Sequence, residues 1–412
     1  MSISTFFERC NAAALLALVV LFFAFPVSLA LANLLMVLTL VLWTLGGHWQ
    51  ERWEAVKGNP VAWLALGLYL WMCVGVVYTP AKWPEVQQHL GKYFKLSFML
   101  LVISLLPSGI WRKRATWAFG LAMLFTLLST YANIWWQLPW SRTQNQGWGQ
   151  DHTVVKDYIS QGLMMSMLAL LALAAVINSK LRVLVRVLAA AVAVAAIVSI
   201  THLSYGRTGY VAVLVVLGAF AVFAMGGWRR VLVLLCMTGA VAGLYLSSPS
   251  LQGRVEQAIA EARNYNAEDL SSIGQRLYFA EKTWVLIQEK PLLGWGTGAY
   301  HDQFCRVADT QVWCDAGRFH PHNQVLFIWM EHGLLGLLLL LGLILTPMAR
   351  VWRESGPRAV VLAGFSGLFL VGSLTHGSLW LSTESHFFTL MGALLASAAW
   401  ASRQAGPSSR LT

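Results

Sequence analysis

The segment Phe319-His320-Pro321-His322-Asn323-Gln324 leads directly into an apolar stretch, which continues through Glu331-His332-Gly333 and a leucine-rich run to about residue 348. Titratable and amide side chains at the mouth of a membrane span are costly unless they face a wet cavity. The segment therefore predicts a membrane-spanning helix and a functional site at its polar end.

The composition of the whole chain is that of a membrane protein. Of its 412 residues, 57% are hydrophobic and 11% are charged. Soluble domains carry about 25% charged residues. Because a helix rises about 1.5 Å per residue and the hydrocarbon core is about 30 Å thick, apolar runs of about 17–25 residues predict membrane spans.

Repeated apolar runs predict an all-α integral membrane protein with about 12 transmembrane helices. Pro26 divides the first apolar stretch into a hairpin of two helices. The tenth run has about 27 residues, or roughly 40 Å of helix, which would carry its outer end above the hydrocarbon. The runs lie near residues 10–25, 27–46, 61–78, 93–106, 115–137, 161–177, 183–201, 208–226, 229–247, 322–348, 358–376 and 384–401.

The basic residues predict the orientation of these helices. With the N-terminus inside, the cytoplasmic segments hold 16 of the 29 basic residues and only the acidic residues Glu8, Glu51, Glu54 and Glu354. This asymmetry follows the positive-inside rule. It predicts a multi-pass protein of a bacterial inner membrane with both termini cytoplasmic, and it attributes the pI of 9.6 to topology rather than to nucleic-acid binding. The basic residues are Arg9, Arg52, Lys57, Arg112, Lys113, Arg114, Lys180, Arg182, Arg186, Arg229, Arg230, Arg350, Arg353, Arg358, Arg403 and Arg410.

The orientation predicts three parts of the chain: helices 1–9 over residues 1–247, a large periplasmic loop over 248–321, and helices 10–12 with a cytoplasmic tail over 322–412. The loop is expected to be partly helical, because Val255–Tyr265 and Gln275–Lys290 show helical periodicity.

Cys305 and Cys314 both lie in this loop. An oxidising compartment permits disulfides, so we predict a bond between them, with a metal-binding pair as the alternative.

The turn Ser204–Tyr210 places Arg207 at the start of the eighth span. A cation at a helix N-terminus opposes the helix dipole, so its position needs a reason. One explanation is an interfacial arginine whose stem lies along apolar surface. The other is an anion clamp, since the guanidinium fork matches phosphate oxygens.

Two further polar sites follow on the same face. Ser271–Arg276 begins the second loop helix, and His320 and His322 precede the tenth span. Histidine titrates near physiological pH and suits a general base, although the two residues also have the spacing of metal ligands. The carboxylates nearby show no ligand spacing, so we predict no metal. They are Asp302, Asp309 and Asp315.

These sites, in this order and on this topology, resemble the O-antigen ligase family. The matching motifs are the arginine turn, an arginine helix leading to Pro291-Leu292-Leu293-Gly294-Trp295-Gly296, and His322-Asn323 followed by Glu331-His332-Gly333-Leu334-Leu335-Gly336. The resemblance covers about residues 200–345 by motif. O-antigen polymerases and bacterial protein O-oligosaccharyltransferases share these motifs.

The resemblance implies a metal-independent, inverting glycosyltransferase without a cofactor. Such an enzyme joins O-antigen polysaccharide, carried on undecaprenyl pyrophosphate, to the core sugar of lipid A–core at the membrane. Cations at the leaving pyrophosphate would stabilise developing charge, which suits Arg207 and Arg276, and His322 takes the role of the base. The other candidate substrate contacts are His320, Asn323, Arg306, Arg318 and Tyr210.

Two alternatives remain open. A polymerase or protein O-oligosaccharyltransferase would use the same donor with another acceptor. A transporter would carry its polar residues near the midplane at repeat-related positions, whereas here they cluster in outer loops. Trp135, Trp136 and Trp140 either stack on sugars or belong to the interfacial aromatic belt.

Overall fold

The computed structural model describes residues 3–106, 109–263, 271–351, 354 and 356–400, and over these ranges the regular structure is helical. Arg353, Arg403, Arg410, Tyr265 and the tail beyond residue 400, all used in the sequence analysis, lie outside the described residues.

Eighteen helices form over the described ranges. Pro26 lies in the last turn of the first helix, and Ser28 caps the second through its hydroxyl, so the predicted hairpin begins within two residues of the proline. The helices are α1 Ile3–Val27, α2 Leu29–Leu45, α3 Trp49–Lys57, α4 Pro60–Gly75, α5 Trp83–Tyr93, α6 Lys95–Leu105, α7 Gly109–Ala132, α8 Tyr158–Val176, α9 Val183–His202, α10 Arg207–Phe223, α11 Trp228–Ser247, α12 Pro249–Arg263, α13 Ser272–Glu289, α14 Tyr300–Val307, α15 Gln311–Gly317, α16 Gln324–Val351, α17 Pro357–Thr375 and α18 Ser382–Trp400.

Each of the twelve apolar runs contains a helix, but these helices differ in their capacity to cross a membrane. Within the described ranges, seven are long and apolar enough: α1, α7, α8, α9, α11, α16 and α17. The number becomes eight if the sharply bent pair α2 and α3 is one span, and α4 and α10 are shorter apolar helices. The chain is thus all-α with several membrane-length helices, and the number twelve stays a prediction.

The core is built where these helices face one another. Phe25 of α1, Phe119 of α7 and Phe387 of α18 are fully buried, and the rings of the first two stack with centroids 5.7 Å apart. By contrast, α11 has no buried residue. Its residues are exposed or only half-buried, as expected for an apolar helix at the edge of a bundle where lipid is the solvent.

The helix α16 is not the continuous rod expected from its length. Gly333 has φ 62° and ψ −162°, a non-helical conformation that divides α16 into an outer and an inner part. Leucine at this position would be strained, since positive φ favours glycine. The 28 residues of α16 agree with the predicted length of the tenth span, the break at Gly333 was not predicted, and the position of the outer end above the hydrocarbon stays a prediction.

The break lets the loop segment after α13 pair with the backbone of α16. Trp295 N donates to Met330 O at 3.0 Å, Gly296 N to Glu331 O at 2.8 Å, and Leu334 N to Leu292 O at 3.1 Å. A Cβ on Gly294 would lie 2.5 Å from the Glu331 carbonyl, so the two backbones approach too closely for any side chain there. The glycine-containing motifs Pro291–Gly296 and Glu331–Gly336 therefore form the two sides of a single backbone contact.

The carboxylate of Glu331 completes this junction. Its Oε2 lies 3.1 Å from His89 Nδ1, and its Oε1 accepts a hydrogen bond from Tyr300 N at 3.1 Å, at the start of α14. Glu331 is fully buried, and a buried charge requires such partners. It therefore joins α5, α14 and α16 instead of facing the polar end of the bundle.

Candidate functional site

Arg207 is the first residue of α10, and its guanidinium is paired with a carboxylate from α12. Nη1 donates to Glu261 Oε2 at 2.8 Å and Nη2 donates to Oε1 at 2.9 Å. The side chains are 18% and 11% exposed, so the pair is largely shielded from water. Two parallel hydrogen bonds are the geometry in which arginine binds carboxylate or phosphate.

The same carboxylate reaches the N-terminus of α13. Glu261 Oε2 accepts a hydrogen bond from Ile273 N at 3.1 Å. The hydrogen bonds from Arg207 lower the pKa of Glu261, with a smaller contribution from Ile273 N. An oxyanion bound by a guanidinium fork and a helix N-terminus is the arrangement expected of an anion-binding site, and here the chain's own carboxylate occupies it.

Arg276 lies in the first turn of α13, which begins where Ser271 Oγ accepts from Gly274 N at 3.1 Å. Burial lowers the pKa of Arg276, and Arg207 lowers it further, while Tyr158 and Glu261 raise it. Within the described residues, Arg276 has no hydrogen bond or ion pair. A charged guanidinium kept half-buried without a partner favours an incoming anion.

The two arginines share a cavity of about 210 Å³. Arg254 of α12 also lines it, so three guanidinium groups face the single carboxylate of Glu261. The cavity is therefore positively charged, and Tyr158 and Tyr205 complete the part of its wall that an anionic ligand would meet.

Next to Arg276 lies a cluster of three histidines. The ring centroids of His320 and His322 are 4.4 Å apart, those of His322 and His376 are 5.5 Å apart, and those of His320 and His376 are 5.8 Å apart. His322 lies between two nearly parallel rings, since Phe279 of α13 stacks on it at 5.9 Å. One helix thus supplies both Arg276 and a ring that fixes His322.

The backbone at His322 is strained. Its φ is 52°, a left-handed conformation that is uncommon outside glycine. His320 Nδ1 accepts a hydrogen bond from His322 N at 3.1 Å and so holds the turn. The His320 ring thus contacts the backbone of the turn that carries His322, while the separate roles of the two histidines stay a prediction.

The environment keeps His322 neutral. Burial, together with the neighbouring His376 and Arg276, lowers the pKa of His322 to about 4. Its Nδ1 is buried without a hydrogen-bond partner among the described residues. A neutral imidazole with a free ring nitrogen can accept a proton.

His376 belongs to a polar network that sequence reasoning missed. Its Nδ1 lies 3.0 Å from Glu384 Oε1, which is also 2.8 Å from Ser160 Oγ. The same Ser160 hydroxyl lies 2.5 Å from Asp157 Oδ2, and its single proton can serve only one carboxylate at a time. A signal was present in the sequence: His376 and Glu384 are titratable residues at the facing ends of two apolar runs, where such groups mark function by default.

The short segment after α17 is attached to the start of α16. Gln324 N donates to His376 O at 3.1 Å, and Gln324 Oε1 accepts from Leu379 N and Trp380 N at 2.9 and 3.1 Å. Gln324 is fully buried. It fixes His376 against His322, although the two are more than 50 positions apart in the chain.

The other predicted contact residues lie elsewhere. Asn323 Oδ1 accepts from Leu326 N at 3.0 Å and caps α16, and Tyr210 Oη donates to Ser204 O at 2.9 Å. Arg306 pairs with Glu289, and the guanidinium of Arg318 covers the ring of Phe319 at 4.4 Å. None of these residues lines the arginine cavity. His320 and His322 do not line it either, but His322 lies near Arg276 and stacks on Phe279 of the same helix.

The two loop cysteines are joined. Cys305 in α14 and Cys314 in α15 form a disulfide with Cα atoms 4.6 Å apart. With His301 they are also the one group of three potential metal ligands in the described ranges whose donor atoms converge within 4.8 Å. The histidine cluster does not form such a group.

Comparison with known proteins gives two matches. The O-antigen ligase family model matches residues 200–341, which include both arginines, the histidine pair and the glycine motifs. The O-antigen ligase of Salmonella typhimurium strain LT2 is 42% identical over 57 residues, which are 13% of this chain and 14% of that relative. The match to this curated relative thus spans a small part of either protein.

Proposed function

We propose, on the premise that the chain belongs to the O-antigen ligase family, that it transfers O-antigen polysaccharide from undecaprenyl pyrophosphate to the core sugar of lipid A–core. The observation that carries the proposal is the pair Arg207 and Arg276 in one positively charged cavity beside His322. A lipid-linked pyrophosphate and a neutral base are the two groups that this arrangement suits.

The proposed reaction is a single displacement at the anomeric carbon of the first donor sugar. The acceptor hydroxyl oxygen forms the new bond to that carbon from the face opposite the pyrophosphate, which inverts the configuration. The carbon–oxygen bond to pyrophosphate breaks, and undecaprenyl pyrophosphate leaves with the electron pair. His322 takes the hydroxyl proton.

The arginines stabilise the leaving group in this scheme. As the glycosidic bond breaks, negative charge grows on the pyrophosphate oxygens, and fixed cations there lower the barrier. The donor must take the place of Glu261 at the Arg207 fork, or bind beside it at Arg276. Charge already supplied by guanidinium groups leaves no requirement for a divalent ion, so we propose metal-independent transfer.

Reconstitution with defined substrates tests the reaction and its acceptor. Purified protein in liposomes, given lipid-linked O-antigen and lipid A–core, should produce ligated lipopolysaccharide, and saturating EDTA should not stop it. Transfer onto another O-antigen unit or onto a protein instead would indicate the polymerase or protein-glycosyltransferase alternative. Activity lost in EDTA and restored by a divalent metal would contradict metal independence.

The proposal also requires the arginine cavity to face the periplasm of a bacterial inner membrane, with both termini cytoplasmic. The excess of basic residues on one side of the chain supports this orientation. Reporter fusions near residues 150 and 300 should be periplasmic, and those near 112 and 229 cytoplasmic. A cytoplasmic reporter at 300 would overturn the proposal, because the lipid-linked polymer would lie on the other side.

A further inference from the structure

A second, larger cavity lies next to the arginine cavity. It measures about 490 Å³ and lies between the segment that connects α7 to α8, the end of α9 and the beginning of α12. The residues that give it its chemistry are Trp148, His202, Tyr205, Arg254 and Gln257. Its volume falls in the range of about 300–1,000 Å³ that small-ligand sites occupy.

The two cavities share a wall. Tyr205, Arg254 and Gln257 line both, whereas Arg207 and Arg276 line only the smaller one and Trp148 lines only the larger one. A ligand whose charged end occupies the arginine cavity therefore has the larger cavity immediately beside it, with a single layer of side chains between the two.

The lining combines flat rings with hydrogen-bonding groups. Trp148 is 55% exposed, and in the part of the chain that the structure describes its indole N–H has no acceptor. The guanidinium of Arg254 lies 4.5 Å from the centroid of the Tyr205 ring and donates to Gln257 Oε1 at 3.2 Å. Tyr205 Oη donates to Gln150 Oε1 at 3.1 Å. The ring is thus contacted on its face by Arg254 and at its hydroxyl by Gln150.

This combination matches a saccharide. A pyranose ring has an apolar face of C–H groups that packs on an aromatic ring, and hydroxyl groups around its edge that need donors and acceptors. Trp148 offers the ring together with a free donor, and Arg254 and Gln257 offer edge contacts. A lipid tail would leave these polar groups unpaired, which costs free energy.

The other outer tryptophans lack this setting. Trp135, Trp136 and Trp140 are 62%, 63% and 52% exposed, yet none of them lines the cavity. They fit the interfacial aromatic belt. Trp148 is the member of the outer tryptophan set whose ring forms a cavity wall.

We propose that the cavity between Trp148 and Tyr205 is a saccharide subsite that binds sugar residues of a substrate while its pyrophosphate end, or the acceptor, is held at the arginine cavity. The inference rests on the proposed function. The sugars come from the donor polymer or from the lipid A–core acceptor, and the same ring chemistry serves either source.

The kinetic test uses Trp148→Ala, Trp148→Phe and Trp136→Ala in reconstituted full-length protein. Loss of the ring should raise the KM for one glycan-bearing substrate about tenfold with little change in kcat, Phe should restore most of the loss, and Trp136→Ala should behave as wild type. Donors carrying one sugar or a long polymer, and acceptors with a full or truncated core, identify the source. An effect that depends on donor glycan length assigns the cavity to the donor, and one that depends on core length assigns it to the acceptor.

Several outcomes would overturn the subsite. They are unchanged kinetics of Trp148→Ala, a loss that is independent of glycan length on both substrates, or an equal loss in Trp136→Ala. A direct measurement separates this inference from the proposed function: labelled, delipidated O-polysaccharide and core oligosaccharide are tested for equilibrium binding to wild type and Trp148→Ala. An inactive wild type would contradict the proposed function alone, while absence of Trp148-dependent binding of either saccharide would contradict the subsite alone.

Discussion

Arg207 and Glu261 form a two-point ion pair, with both guanidinium nitrogens engaged at 2.8 and 2.9 Å. In the proposed reaction, a donor phosphate that binds at Arg207 has to compete with this carboxylate. The proposal therefore makes Glu261 a determinant of donor affinity, and its removal should have an effect of opposite sign to the removal of Arg207.

Glu261→Gln should lower the KM for the lipid-linked donor. Glutamine keeps the shape of the side chain but removes the charge that the donor displaces. Exchanging one charged hydrogen-bonded pair should change the KM by about three- to tenfold. Arg207→Ala should abolish ligation, and Arg207→Lys should recover little because an ammonium lacks the fork. Initial rates against donor concentration give both parameters.

Glu256→Gln is the matched control, since Glu256 is an exposed acid on the same helix α12 and lies outside the arginine cavity. It should leave the KM unchanged. A Glu261→Gln variant that lost turnover at an unchanged KM would contradict competition and make Glu261 a residue that positions Arg207.

His322→Ala should lower kcat by about 10²–10⁴-fold while donor binding stays nearly intact, as expected for removal of a general base. His376→Ala and Glu384→Gln should each give a smaller loss, because they act on the ring that stacks against His322. Asn323→Ala should mainly reduce stability, by about 1 kcal/mol, since its side chain caps α16. Single-turnover rates and donor binding on matched amounts of inserted protein distinguish these effects. A His376→Ala loss as deep as that of His322→Ala would transfer the base role to His376.

The pH dependence of ligation should reflect the depressed pKa of His322. Burial, with His376 and Arg276 nearby, lowers this pKa to about 4, so the imidazole is neutral above that value, and the proposed base is lost only as the pH falls through it. The acid limb of kcat/KM, which reports the free enzyme, should therefore lie well below 6.5. Bound pyrophosphate favours the protonated form, so the limb of kcat should lie at higher pH. A kcat/KM limb centred at 6.5 would show that His322 is more exposed than the structure has it.

Gly294→Ala should destabilise the protein severely. The added Cβ would lie 2.5 Å from the Glu331 carbonyl, and φ at this position is 74°. We expect the free energy of unfolding to fall by about 3 kcal/mol or more, because backbone atoms cannot move aside as a flexible side chain can. Gly147→Ala is the control: its φ is 87° but its surroundings are open, so it reports the backbone strain without the collision. Equal thermal unfolding shifts in the two variants would contradict the role of the close approach.

Cys305 and Cys314 should resist alkylation until they are reduced. The bond closes a short segment of the loop, with a sequence separation of 9, and such a loop contributes about 2–3 kcal/mol in the chain-entropy model. Mass spectrometry of denatured, non-reduced protein after alkylation tests this, with Cys73 and Cys236, which are free and not buried, as internal controls. Labelling of both loop cysteines together with the controls would refute the bond.

The sequence was sufficient for those features that depend on local pattern. The lengths of the apolar runs located a helix in each of them, and the helix-dipole argument marked Arg207 as a residue whose position needed a reason. The identity of that partner was not accessible, because Glu261 lies on an amphipathic loop helix where an acid ordinarily faces solvent. The bidentate pair forms only because the packing of α12 against α9 and α13 brings Glu261 to the first residue of α10.

Contacts between residues far apart in the chain explain the other features that the sequence did not predict. His376 and His322 are adjacent because buried Gln324 binds the backbone after α17, and no local pattern encodes that contact. The break in α16 was visible as Gly333 within an apolar run, yet glycine is common in membrane helices. Only the fit of the Gly294 segment against Glu331 shows that the helix must open there.

The break at Gly333 also has a mechanical consequence. Trp295 bonds to Leu286 of α13 through its indole and to Met330 of α16 through its backbone, so it links the helix that holds Arg276 to the part of α16 that follows His322. Beyond the break, Leu334 N donates to Leu292 O of the same loop segment, so both parts of α16 are attached to that segment. A thicker or thinner bilayer changes the tilt of long helices, and this attachment links the tilt of α16 to the helix that carries Arg276.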